Sequence, residues 1–101
     1  MTLSELAKKF ANMLIIRHRI NKSGIASLTI KDVSLRVKNP MKLARQLVLY
    51  IASLKGLKAE FVKETAIALS ARLLDEAGMI VGRVILEHKA SSDKLTVKLW
   101  L

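Results

Sequence analysis

Over the first twenty residues the apolar positions recur at helical spacing. Leu3, Leu6, Phe10, Met13 and Leu14 form one stripe with Ala7 inside it, while Lys8, Lys9, Asn12 and Arg19 fall away from it. Thr2 and Glu5 have the spacing of a capping box. The pattern predicts a helix from about Leu3 to Ile20, ended by Asn21 to Gly24. From Ile25 to Lys38 the period changes to two. Val33, Leu35 and Val37 alternate with Ser34, Arg36 and Lys38, which predicts a strand with one apolar and one cationic face. Leu28 and Ile30 make a shorter alternation out of phase with it, so Lys31-Asp32 reads as a tight turn or a bulge.

Asn39-Pro40 is a helix start: an N-cap residue, then a proline where the missing N–H costs nothing. The helix it opens runs to about Leu54. Its buried stripe is Ala44, Leu47, Val48, Ile51 and Leu54, with Gly56 as its cap. Leu57, Ala59 and Phe61 alternate with Lys58 and Glu60, which favours a short strand. A further helix is predicted from about Glu64 to Ala77, ended by Gly78. Met79 to Glu87 and Leu95 to Leu101 then read as a hairpin around a polar turn at Ala90 to Asp93.

The elements add up to an α+β fold in a single domain, residues 1–101. An N-terminal helix is followed by β-α-β-α-β-β, with the helices on one face of a small mixed sheet. Val33, Leu35, Val37, Leu95, Val97 and Leu99 are expected together on the buried face of that sheet. A winged-helix domain is the alternative, with Leu74 to Ile80 as the end of a recognition helix and Gly82 to Leu101 as the wing.

Charge sharpens this picture. Lys and Arg number 18 against 8 acids, for a net charge of +10. Residues 1–58 hold 12 of the basic residues and two acids, Glu5 and Asp32, so the whole excess falls in the first part of the chain. This is the sequence footprint of a protein that meets a polyanion. Arg17, Arg19 and Lys22 cluster around His18. Lys38, Lys42 and Arg45 surround the Asn39-Pro40 helix start, where free backbone N–H groups already favour phosphate. Lys31 and Arg36 extend the patch along the expected strand. These eight residues are the candidate nucleic-acid contacts. Phe10, Tyr50, Phe61 and Trp100 are the aromatics. They are not interleaved with the cations, which favours phosphate contact over base stacking. Trp100 points opposite to Leu99 and Leu101, so it is either exposed or packed on another element.

Catalysis finds little support. His18 and His88 lie far apart and have no second ligand type at metal-binding spacing. Glu60 and Glu64 read better as acids near a helix start than as an acid–base pair. No glycine-rich nucleotide loop and no cysteine is present. No cofactor is expected. Neither a signal peptide nor a membrane-spanning run is apparent, so a cytoplasmic, nucleoid- or ribonucleoprotein-associated location is expected. The aliphatic composition suggests a homodimer.

The stretch from Pro40 to Ser70 resembles the Alba family of archaeal chromatin and RNA-binding proteins. The landmarks are Val33–Val37, Lys38-Asn39-Pro40, Gly56, Leu57–Lys63 and Ala68-Leu69-Ser70, followed by the closing hairpin. Asn39 stands where the family has a second lysine, and Thr65-Ala66 where it has Arg-Gly. The resemblance implies a homodimer that binds double-stranded nucleic acid with little sequence preference, with Lys38 on a phosphate. Three other readings accompany it: a winged-helix transcription regulator, a basic ribosomal or ribonucleoprotein component, and an oligomeric scaffold that binds an acidic protein. Across all the nucleic-acid readings, the partner is double-stranded DNA or structured RNA.

Overall fold

A computed structural model describes all 101 residues. Its first helix, α1 (Leu3–Ile20), opens on the expected capping box. The Thr2 hydroxyl accepts from the Glu5 amide at 3.1 Å, and the Glu5 carboxylate accepts from the Thr2 amide at 3.4 Å. Leu6, Ala7, Phe10, Ala11, Leu14 and Ile15 form its buried face. Asn39 caps α3 (Pro40–Leu54), its side-chain oxygen accepting from the amides of Met41 and Lys42. At the other end Gly56 takes φ +65, which allows Leu57 to donate back to the Ala52 carbonyl at 2.8 Å. Leu54, expected in the buried stripe, is half exposed in this last turn.

Five strands follow or intervene: β1 (Ile25–Lys31), β2 (Lys58–Glu64), β3 (Ala68–Leu74), β4 (Ile80–Lys89) and β5 (Lys94–Trp100). They form one sheet of order β1-β5-β4-β3-β2, with every pairing antiparallel. The α+β class, the N-terminal helix, α3 and the closing hairpin match the sequence reading. The expected mixed sheet and the β-α-β-α-β-β order do not.

Two segments account for the difference. Residues 33–36 are a single helical turn, α2 (Val33–Arg36), and not a strand. Val33 and Val37 are buried as expected, but Leu35 is 85% exposed. The true neighbour of β5 is β1, whose Ala26, Leu28 and Ile30 form the buried phase. The second departure is the helix expected over Glu64 to Ala77. The chain instead turns at Thr65, whose hydroxyl accepts from the amides of Ile67 and Ala68, and continues as β3. Leu69, Ala71 and Leu73 fill the core from that strand. Pairing on both sides and burial on alternate positions outweigh the helical preference of these residues. The winged-helix alternative therefore has no recognition helix, and the Ala68-Leu69-Ser70 landmark of the Alba resemblance lies on a strand.

α1 and α3 pack on each other and on one face of the sheet. Leu95, Val97 and Leu99 are fully buried beneath them. All 25 buried residues are apolar. The opposite face of the sheet carries no helix.

Candidate nucleic-acid interface

The strand register places the side chains of the uncovered face in rows. Lys31, Lys94 and Lys89 lie opposite one another on β1, β5 and β4. Two rows on come Ser27, Lys98, Ile85, Ser70 and Lys63, and beyond them Ile25, Trp100, Arg83, Arg72 and Glu60. Lys58 begins β2 on the same face, and Glu87 occupies the row of Thr96. Eight cations thus share this face with two acids.

The acids of the second half have largely turned elsewhere. Glu64 pairs with Arg45 on the helix side. Asp75 folds over its own turn, accepting from the amides of Ala77 and Met79 at 2.9 Å. Asp93 reaches across to α2, where its carboxylate accepts from the Ser34 hydroxyl at 2.6 Å and faces His88 at 3.1 Å. These hydrogen bonds, the Ser34 hydroxyl foremost and His88 next, hold the Asp93 carboxyl below its ordinary value. The neutral charge of residues 59–101 is therefore not neutral in space: its six cations lie on the uncovered face with only Glu60, which pairs with Arg72 at 3.4 Å, and Glu87 among them.

The eight residues singled out by sequence fall into separate groups. Arg36, Lys38 and Lys42 come together around a hollow of about 280 Å3 at the start of α3. Arg36 also donates to the Lys31 carbonyl at 3.4 Å, which joins this group to the lysine row of the sheet. Arg45 stands apart, paired with Glu64 and stacked 4.1 Å from the Phe61 ring centroid. Arg17, Arg19 and Lys22 lie at the opposite end of β1. Of these, Arg17 donates to the Ser27 carbonyl at 2.9 Å, while Arg19 and Lys22 are exposed. His18 does not join them, because its Nε2 is buried without a hydrogen-bond partner.

Of the eight cations on the uncovered face, sequence reasoning named only Lys31 and missed Lys58, Lys63, Arg72, Arg83, Lys89, Lys94 and Lys98 as candidates. The signal was present as the polar phase of the final hairpin, where Lys94, Thr96, Lys98 and Trp100 alternate with the buried leucines and valine. Trp100 is half-buried on the uncovered face, with the Arg83 guanidinium 5.0 Å from its ring centroid.

No group of three histidine, cysteine or acidic side chains is placed to hold a metal ion, and no helix is long and apolar enough to cross a membrane. No family model, curated protein or solved structure matches the chain.

Proposed function

We propose that this is a non-catalytic nucleic-acid-binding protein that grips phosphates with a basic surface. One observation carries the reading: Lys31, Lys94 and Lys89 stand side by side on three neighbouring strands. Adjacent strands lie about 4.8 Å apart, and like charges directly opposite each other destabilise a sheet. A run of phosphates, spaced along DNA or structured RNA, relieves that repulsion and releases counterions. Arg36, Lys38 and Lys42 continue the row onto the helix side. Phosphate contacts of this kind hold double-stranded DNA or structured RNA without reading sequence, in keeping with a chromatin- or ribonucleoprotein-associated role.

The reading includes a homodimer. Gly24 bonds Leu101 through its carbonyl, so the odd-numbered groups of β1 face outward. Side chains close most of that edge. Asn21 donates to the Ile25 carbonyl, Arg17 to that of Ser27 and Arg36 to that of Lys31. β2, at the other edge, has no such side-chain caps, and its Lys58, Glu60, Lys63 and Glu64 mix both signs. Antiparallel pairing of two β2 strands sets lysines near glutamates and leaves both cationic faces on one side.

The test is fluorescence anisotropy with labelled duplex DNA and a hairpin RNA across a salt series. Binding that weakens steeply with salt supports the reading. Failure to bind either nucleic acid, with tight binding to an acidic polypeptide, overturns it in favour of a scaffold.

A further inference from the structure

We infer that Trp100 forms a base-stacking subsite, so that the uncovered sheet prefers nucleic acid with unpaired bases. This inference rests on the nucleic-acid reading above and adds a specificity that phosphate contacts alone do not give. Trp100 is the chain's single tryptophan. It is half-buried at the end of β5, and it does not belong to the partly buried residues packed on the core. The ring is therefore held at the surface, among cations.

Its surroundings suit a nucleotide. Trp100 borders a hollow of about 500 Å3 that also contains Arg83 and Arg72, the latter paired with Glu60 at 3.4 Å. It equally borders a second hollow of about 390 Å3 edged by Lys89 and Lys98, with Glu87 as its one acid. Arg83 at 5.0 Å steadies the ring by cation–π attraction. Ile25 and Ile85, each more than a third exposed, lie in this row and the next, where they offer apolar surface to a base. A ring flanked by guanidinium and ammonium groups has what a nucleotide needs: a flat face for the base and charge for the phosphates on either side. A duplex keeps its bases stacked on one another and offers nothing to this ring. The lysine row lies at the far end of the same strand, six residues away and about 20 Å distant, so one strand can engage both.

The experiment uses the intact chain and its own fluorescence. Oligo(dT), a blunt duplex and heparin, a polyanion without bases, are titrated at equal ionic strength. Oligo(dT) is expected to quench Trp100, whereas duplex and heparin bind with little quenching. Trp100→Ala, which removes the reporter and is therefore read by anisotropy of labelled ligands, should weaken oligo(dT) binding about 5- to 100-fold and leave the other two within about twofold. Trp100→Phe, which keeps an aromatic face, should recover part of the loss, and its melting curve controls for folding. Equal quenching by heparin, or equal weakening for all three ligands, overturns the subsite while leaving phosphate binding in place. Binding of heparin with no binding of either nucleic acid defeats the broader reading instead.

Discussion

Asp93 caps a helix that begins about sixty residues before it: its carboxylate accepts from the Ser34 amide at 3.0 and 3.2 Å and from the Ser34 hydroxyl at 2.6 Å. The residue at the N-cap position of α2, Asp32, makes no side-chain cap. The β4–β5 turn thus holds the α2 turn in place. Asp93 itself sits at φ +48, a conformation that aspartate and asparagine tolerate better than most residues.

The pH dependence follows from the lowered Asp93 pKa. A carboxyl whose folded value lies below its unfolded one contributes stability above about pH 3.9, and that contribution disappears as pH falls through the folded value. Asp93→Asn keeps the backbone conformation and an acceptor but removes the charge. Urea unfolding at neutral pH should find it less stable than the parent, with the gap closing progressively below about pH 3.9. A gap that stays constant down to the acid limit would show that the charge of Asp93 does not support α2.

The same contact explains why α2 could not be read locally. Val33, Leu35 and Val37 alternate as a strand does, and only a partner from the other end of the chain shows that Val33 and Val37 are buried by a helical turn. β3 teaches a different lesson. Its alternation of Leu69, Ala71 and Leu73 was there to be seen, but alanine and leucine favour helices and the flanking acid and glycine resembled helix ends. α1 and α3 were legible because their caps are local: Thr2 with Glu5, and Asn39 with Pro40. The interface was half legible. Charge in a sequence counts residues and not directions, so Glu64, Asp75 and Asp93, which turn away from the uncovered face, cancelled cations of β3, β4 and β5 in the sum.

Arg45 should matter less than its place in the sequence suggests. Its guanidinium is committed to Glu64 and to the Phe61 ring. Arg45→Ala is expected to cost about 0.5–1.5 kcal/mol of stability from an exposed pair and a cation–π contact. Its affinity for duplex should stay within about twofold of the parent, a smaller change than removal of a free phosphate-binding cation would give. A tenfold drop in affinity at constant fold would show that Arg45 leaves Glu64 to meet the ligand.

Gly82 is the glycine with the least room for a side chain. A Cβ there would lie 2.5 Å from the Trp100 carbonyl oxygen and 2.6 Å from Leu101 Cδ2. Leu101 can shift, but the backbone oxygen cannot move without disturbing the β4–β5 pairing. Gly82→Ala is expected to destabilise the protein by about 1–3 kcal/mol and to alter the Trp100 emission spectrum even without ligand. An unchanged melting temperature would mean that this end of the hairpin is looser than the geometry indicates.

The dimer has its own readout. Light scattering at micromolar concentration should give twice the chain mass of 11.2 kDa. Lys58→Glu combined with Lys63→Glu gives each β2 edge one sign of charge, so two edges then repel. That double variant should run as a monomer with its circular dichroism unchanged. A species of 11.2 kDa for the parent across this range would remove the dimer. A dimer that persists in the double variant would place the interface elsewhere.

The sharpest comparison is between two sets of three cations. Neutralising Lys31, Lys89 and Lys94 to glutamine removes the row in which each outer lysine faces the central one. Neutralising Lys38, Lys42 and Arg45 removes two exposed lysines and one arginine already paired with Glu64. Removing one phosphate-binding cation lowers the log–log salt slope on duplex DNA by about 0.9. The first set should therefore reduce the slope by roughly 2 to 3 and the second by no more than about 2. Stability separates the sets further. Relief of like-charge repulsion in the sheet should stabilise the first variant by about 0.2–1 kcal/mol for each opposed pair, whereas breaking the Arg45–Glu64 pair should slightly destabilise the second. A protein that melts higher while binding more weakly is the mark of charges kept for a ligand and not for the fold. If the first variant binds duplex and hairpin RNA as the parent does, the lysine row is not the phosphate site and the proposed function loses the observation that carries it.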